Sequence, residues 1–354
     1  MFVQSRYANA PTWFTRLLLL IVIALAISAT APHKTQTTTR AKPGDYHDTT
    51  LYRTMVDNIA SGKGYYSTVG VEHRAHDYPT SPPQVFREPT LAWFLATLRF
   101  DAVRIACLFL LAAAIILQFY RLLLRTELSA VERVTFIAAA STGLGFIAAR
   151  DAVYSHEVWA SLLLALSLLL YRGSRWWPSI VIAVLACLVR ELALPFLFAM
   201  AAWAFFERKW RELTGWIAGI MFFAVLLTLH LTLAAQLYRT GDALSDGWLA
   251  LGGWHFALET ARFNVLLHDA SLPVIAFLVS CAVIGLAGAR DGRAQRAALV
   301  AFGYLAALTI VGRPGNYYWG IIYTPILSVG FAYAPVALRD ICLRAFSRAR
   351  AISK

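Results

Sequence analysis

The chain has 354 residues, 59% of them hydrophobic and only 15% charged, with a mean hydropathy of +0.58. A soluble domain of that length cannot bury so much apolar surface, so the composition excludes a water-soluble globular protein and predicts a polytopic membrane protein. The formal charge of +12 rests on Lys and Arg scattered between apolar runs, which argues against nucleic acid as a partner and for membrane topology as the cause.

The first apolar run, 17–31, follows Arg6 and Arg16 and ends in Ala29-Thr30-Ala31-Pro32. It reads either as a cleavable signal peptide or as a first transmembrane helix. Trp13 and Phe14 extend it to the roughly twenty residues a span needs, and Pro32 after the Ala-x-Ala disfavours cleavage, so a retained helix within 1–32 is expected. Residues 33–99 form the longest polar stretch. It holds Gly44-Asp45-Tyr46-His47-Asp48, then apolar residues at helical spacing (Leu51, Tyr52, Met55, Val56, Ile59), a Pro-rich passage from Tyr78 to Pro83, and Arg87-Glu88-Pro89-Thr90-Leu91. The spacing predicts an amphipathic juxtamembrane helix, and the prolines, which remove backbone donors, predict an ordered cap with short helices.

Further apolar runs occupy 101–120, 134–149, 157–171, 177–189, 192–206, 215–237, 271–288, 297–312 and 321–338. With the first run they predict an all-α transmembrane bundle of about ten spans over 100–340, followed by a basic tail at 341–354. Arginines crowd alternate connections: Arg121, Arg125 and Arg133; Arg172 and Arg175; Arg208 and Arg211; Arg290, Arg293 and Arg296; and the tail. By the positive-inside rule these connections and both termini are cytoplasmic, and the long first loop lies on the periplasmic or lumenal face. The runs 177–189 and 192–206 are short for spans and are joined by Arg190-Glu191, so they read as tilted spans or as a re-entrant hairpin.

On that topology the unusual ionisable groups share one face: Asp45, His47 and Asp48; Arg87 and Glu88; Arg150, Asp151, His156 and Glu157; Arg190 and Glu191; and Arg313 with Asn316, Tyr317 and Tyr318. A charge at mid-bilayer costs about 2.5–3.5 kcal/mol, so ionisable groups in or beside spans point to function. Each group also has a structural reading. Asp48 stands where a helix N-cap would, Glu157 suits a first helical turn, Arg190 and Glu191 suit ion pairs at a hairpin tip, and the tyrosines suit an interfacial belt. Cys107, Cys187, Cys281 and Cys342 lie in or beside apolar runs without metal-ligand spacing and read as small core residues.

The order of elements over residues 1–200 resembles the GT-C superfamily of membrane glycosyltransferases, in particular its lipid A aminoarabinose transferases and protein O-mannosyltransferases. Asp48 and Tyr52 stand at the acid and tyrosine positions of the first outer loop, Gly62 to Tyr66 supply its glycine and aromatics, and Arg87-Glu88-Pro89-Thr90-Leu91 sits at its basic-proline stretch. His156-Glu157 is similar to the second acidic position. Relatives often carry two consecutive acids, whereas Thr49 follows Asp48 here and Asp45 is the nearby second acid, so both aspartates remain candidates, with Asp48 preferred.

The resemblance implies sugar transfer from a polyprenyl-phosphate donor to a lipid, glycan or protein acceptor on the periplasmic face. The residue types suit that chemistry. The donor carries its own leaving group, so transfer needs a base (Asp48 or Asp45, with Glu157 as the second acid) and cations for the departing phosphate (Arg87, Arg190, Arg313). Glu88, His156, Glu191, Tyr317 and Tyr318 complete the expected substrate-binding set. No cofactor is required, and a divalent metal on Asp48 and Glu157 is compatible with the sequence but not demanded by it. A transporter or flippase for a lipid-linked anion is the alternative in another class.

Overall fold

The structure, a computed structural model, describes residues 4–31, 47–149, 151–245, 247 and 250–347. Asp45 and Arg150 lie outside the described residues, as do 32–46 and the end of the basic tail.

All the apolar runs fold as helix. The order is α1 (Thr12–Ser28), α2 (Asp48–Ala60), α3 (Tyr65–Ala75), α4 (Thr90–Thr97), α5 (Asp101–Leu123), α6 (Ala130–Ser141) and α7 (His156–Leu170). It continues with α8 (Trp177–Val189), α9 (Leu194–Phe206), α10 (Trp210–Ala235), α11 (Gly253–Thr260), α12 (Leu272–Gly288), α13 (Gly292–Ile310) and α14 (Thr324–Ala345). Prolines open α8, α9, α12 and α14 within their first two positions, where the missing N–H costs no helical bond. Short 3-10 segments extend α6 (Thr142–Ala148), precede α7 (Ala152–Tyr154) and precede α14 (Pro314–Ile322). Among the described residues, β-pairing is confined to two isolated bridges.

Four helical stretches are long and apolar enough to cross a membrane: α5, α6 with its 3-10 extension, α10 and α14. The chain therefore has the make-up of a multi-pass membrane protein. α1, α7, α8, α9 and α12 are apolar but shorter, and α13 carries Arg293 and Arg296 near its start.

α8 runs back along α7. Ser167 Oγ donates to the Ser179 carbonyl (2.7 Å) near one end of the pair, and Arg190 Nε meets Glu157 Oε1 (2.7 Å) at the other. α9 then returns over the same length, ending beside Glu207, which pairs with Arg296 (2.6 Å) over the ring of Tyr171 at the far end of α7. Thirteen residues each, α8 and α9 rise only about 20 Å. They cross an apolar slab bracketed by two buried polar layers, Glu157–Arg190–Glu191 and Tyr171–Glu212–Arg296. α12 lies against α14 where Gly285 faces Gly330; a Cβ on Gly330 would stand 2.4 Å from the Ala282 carbonyl oxygen, so the two backbones touch only because side chains are absent.

The first polar stretch folds as the short helices α2, α3 and α4. α2 turns Leu51, Tyr52, Met55 and Val56 inward, one stripe at helical spacing. Its N-cap is His47 in extended backbone, with Asp48 the first helical residue and no side-chain capping bond, which corrects the expected N-cap role of Asp48. The Pro-rich passage docks on the α10–α11 connection: Thr80 N donates to Ala243 O (3.0 Å) and Ser245 N to Ser81 O (2.8 Å). Asp242 accepts from Thr80 Oγ1 (2.8 Å), Arg239 N (3.0 Å) and Arg74 (3.2 Å), which fixes both pieces as one cap.

Candidate active site

Asp48 opens α2 at an exposed position, where a carboxylate is favoured by the helix dipole, and it accepts a hydrogen bond from the Tyr78 hydroxyl (2.9 Å). Tyr52, one turn further on, turns inward with the buried stripe of Leu51, Met55 and Val56. Its hydroxyl accepts from Arg87 Nε (3.0 Å), and Arg87 Nη2 reaches the Tyr318 hydroxyl (3.5 Å). The Tyr65 hydroxyl donates to the Arg87 carbonyl, so side chain and backbone of this arginine are both held. Burial raises the Tyr52 hydroxyl far above its ordinary range, against the pull of the Arg87 charge, so Tyr52 stays neutral beside the guanidinium.

α7 supplies the second acid. His156 packs edge-on against Tyr52 (centroids 4.7 Å apart), and its Nδ1 has no hydrogen-bond partner among the described residues. Glu157 accepts from Arg190 (2.7 Å) and from Ser155 Oγ (3.3 Å). Arg190 leaves the end of α8 in extended backbone (φ −155°, ψ 116°) and pairs with Glu191 as well as Glu157, so one buried guanidinium serves two carboxylates. Glu88 lies fully inside, facing Glu191.

These elements enclose a cavity of about 680 Å³. Its wall carries three carboxylates, Asp48, Asp151 and Glu157, and the aromatic side chains of Tyr52, Phe146, Phe263, Tyr317 and Tyr318. Phe263 stacks on Tyr317 (5.6 Å, 21°). The segment bearing Tyr317 and Tyr318 lies directly on α11, because Gly320 approaches the Thr260 carbonyl more closely than any residue with a Cβ could. Among the described residues, no three His, Cys, Asp or Glu side chains gather as ligands for a metal.

Of the residues singled out from the sequence, Asp48, Glu157, Tyr317 and Tyr318 share this wall. Arg87 stands one hydrogen bond behind it, through Tyr52 and Tyr318. His156, Glu88 and Arg190 form the buried layer beneath, with the partly exposed Glu191 at its edge. Arg313 caps the start of the 3-10 segment, three residues before its carbonyl is reached by the Asn316 N–H (2.7 Å). Sequence reasoning missed Tyr78 and Phe263 as neighbours of the site. Tyr78 sits in the Pro-rich passage and Phe263 after α11, and neither carries a spacing signal toward Asp48. Asp151 had a signal, being an acid five residues ahead of His156 in the same short connection. No protein-family model matches the chain, and neither the curated proteins nor the solved structures contain a match.

Proposed function

We propose that the chain is a membrane glycosyltransferase of GT-C type that moves a sugar from a polyprenyl-phosphate donor to a lipid, glycan or protein acceptor, at the periplasmic face of a bacterial inner membrane. One observation carries the reading: Asp48 and Glu157 open on a single cavity beside an arginine held between two tyrosines. In this reading Asp48 takes the proton of the acceptor hydroxyl while the acceptor oxygen attacks the anomeric carbon. The bond from that carbon to the phosphate oxygen breaks, and the electron pair leaves with polyprenyl phosphate. Arg87 offers a cation to the departing phosphate, and a single displacement of this kind inverts the anomeric centre. Asp45 remains the second candidate for the base.

A lipid-linked donor is compatible with a second cleft in the same bundle, lined largely by apolar residues that include Leu144, Ala165 and Pro325, with Asp291 and Arg293 also in its wall. An apolar cleft of this kind suits a hydrocarbon tail. The transporter reading draws on the interruption between α8 and α9 at a buried arginine, a feature of discontinuous helices at ion and substrate sites.

The two readings separate in proteoliposomes of the purified protein given polyprenyl-phosphate sugars labelled in the sugar, with membrane lipid as acceptor. Glycosyl transfer predicts free polyprenyl phosphate and a labelled acceptor in equal amounts. Movement of intact donor across the bilayer without cleavage contradicts it.

A further inference from the structure

Glu88 is 4% exposed, and neither of its carboxyl oxygens has a hydrogen-bond partner when both are counted as acceptors. A buried carboxylate without donors is among the costliest arrangements a protein can hold. The charged group acting on it most strongly is another carboxyl, that of Glu191, which is 31% exposed and paired with Arg190. Two carboxylates cannot bond each other, but a protonated acid becomes a donor and the geometry is then satisfied.

We infer that Glu88 and Glu191 form a proton-binding site, in which one proton is held between the two carboxyl groups with Glu88 as the acid and Glu191 as the carboxylate.

The local charges require the same proton. Glu88, Glu157 and Glu191 stand against two guanidiniums, those of Arg87 and Arg190, and one proton makes this partly exposed cluster neutral. Other polar groups turned toward the pair are the Tyr65 and Tyr66 hydroxyls from α3 and the Cys187 thiol from α8, none of which is a cation. His230 of α10 is within 3.3 Å of the Phe86 carbonyl through Nε2 and 3.0 Å from the Tyr66 hydroxyl through Nδ1, a pattern that its neutral tautomer satisfies completely. His156 of α7 is buried against Tyr52 and has no carboxylate hydrogen bond to hold a charge. Burial pushes the Glu88 carboxyl well up from its ordinary value, the charge of Glu191 adds to that, and Arg190 opposes both.

The site bears on the cavity through Arg190. While the proton is present, this guanidinium is shared between Glu191 and the cavity-wall acid Glu157. Its loss leaves two ionised carboxylates in contact, and Arg190 is the cation beside them. The proton thus sets how firmly Glu157 is held. This inference does not depend on the reaction proposed above.

The test is infrared spectroscopy of the full chain in nanodiscs, titrated with pH in deuterated and ordinary buffer. The expected result is a protonated-carboxyl C=O band at neutral pH that shifts on deuteration and is lost in Glu88→Gln, whose amide takes over the donor role. Glu191→Gln is expected to lose the band too, because the Gln amide then donates to an ionised Glu88, so either variant decides the matter. Absence of the band at neutral pH, its survival in the variants, or its displacement by added sodium, magnesium or calcium would each overturn the proposal. The acid also leaves a stability signature with a definite sign. Unfolded Glu88 ionises near pH 4.5 but folded Glu88 keeps its proton, so the folded state binds more protons and stability falls as pH rises above that value. Glu88→Gln removes this fall.

Discussion

His73 shows how burial sets the charge of a single side chain. On α3 it is 4% exposed, packed on Phe86 (4.6 Å) with Nδ1–H donating to the Pro79 carbonyl (2.9 Å). Burial lowers it from 6.5 to about 4, with the Pro79 carbonyl opposing and Arg87 assisting. Between those two values the unfolded chain binds the extra proton and the folded chain does not, so stability is lost as pH falls from 6.5 toward 4. His73→Phe is expected to flatten this part of the pH profile, a change on the order of 3 kcal/mol by linkage, read from thermal unfolding at pH 7 and at pH 4.5. Equal slopes for both proteins would contradict it. Asp48 and Glu157 were legible because a short motif and a helix start mark them; Tyr78 and Phe263 reach the site only through the docking of loops, which no local period encodes.

At the scale of elements, periodicity located α2 and each apolar helix, because burial of one stripe or of a whole helix is written directly into residue order. α11 was not foreseen, since its eight residues lie in a polar connection. The attachment of α2 was not foreseen either. Arg104, in the first turn of α5, is 3% exposed and donates to the Leu95 and Leu98 carbonyls (3.1 and 3.0 Å), to Asp57 of α2 (3.1 Å) and to the Tyr154 hydroxyl (3.0 Å). One guanidinium thereby ties the helix that bears Asp48 to α4 and to the segment leading into Glu157. Arg104→Met keeps the apolar stem and removes these bonds, leaving carbonyls and a carboxylate uncompensated. It is expected to cost about 1–3 kcal/mol in denaturant unfolding, the range for leaving buried carbonyls unpaired, since Asp57 is exposed and can be rehydrated. An unchanged midpoint would mean that the apolar face of α2 suffices to hold it.

For the whole molecule, composition alone identified an apolar helical bundle, and four helices of membrane-crossing length agree with that reading. A count of ten spans is a finer expectation, because α7, α8 and α9 rise only about 20 Å against the roughly 30 Å of a hydrocarbon core. Of the residues that carry the resemblance, the fold brings Asp48, Tyr52 and Glu157 to one chamber, whose wall also takes Tyr317 and Tyr318 from far along the chain. The measurement that tests this account most directly is sugar transfer from labelled polyprenyl-phosphate donors in membranes holding equal amounts of wild type, Asp48→Asn and Asp45→Asn. The account predicts that Asp48→Asn folds normally, being exposed, and loses about 10²–10⁴-fold in transfer rate while Asp45→Asn retains most of it. Equal transfer by all three proteins would contradict the account.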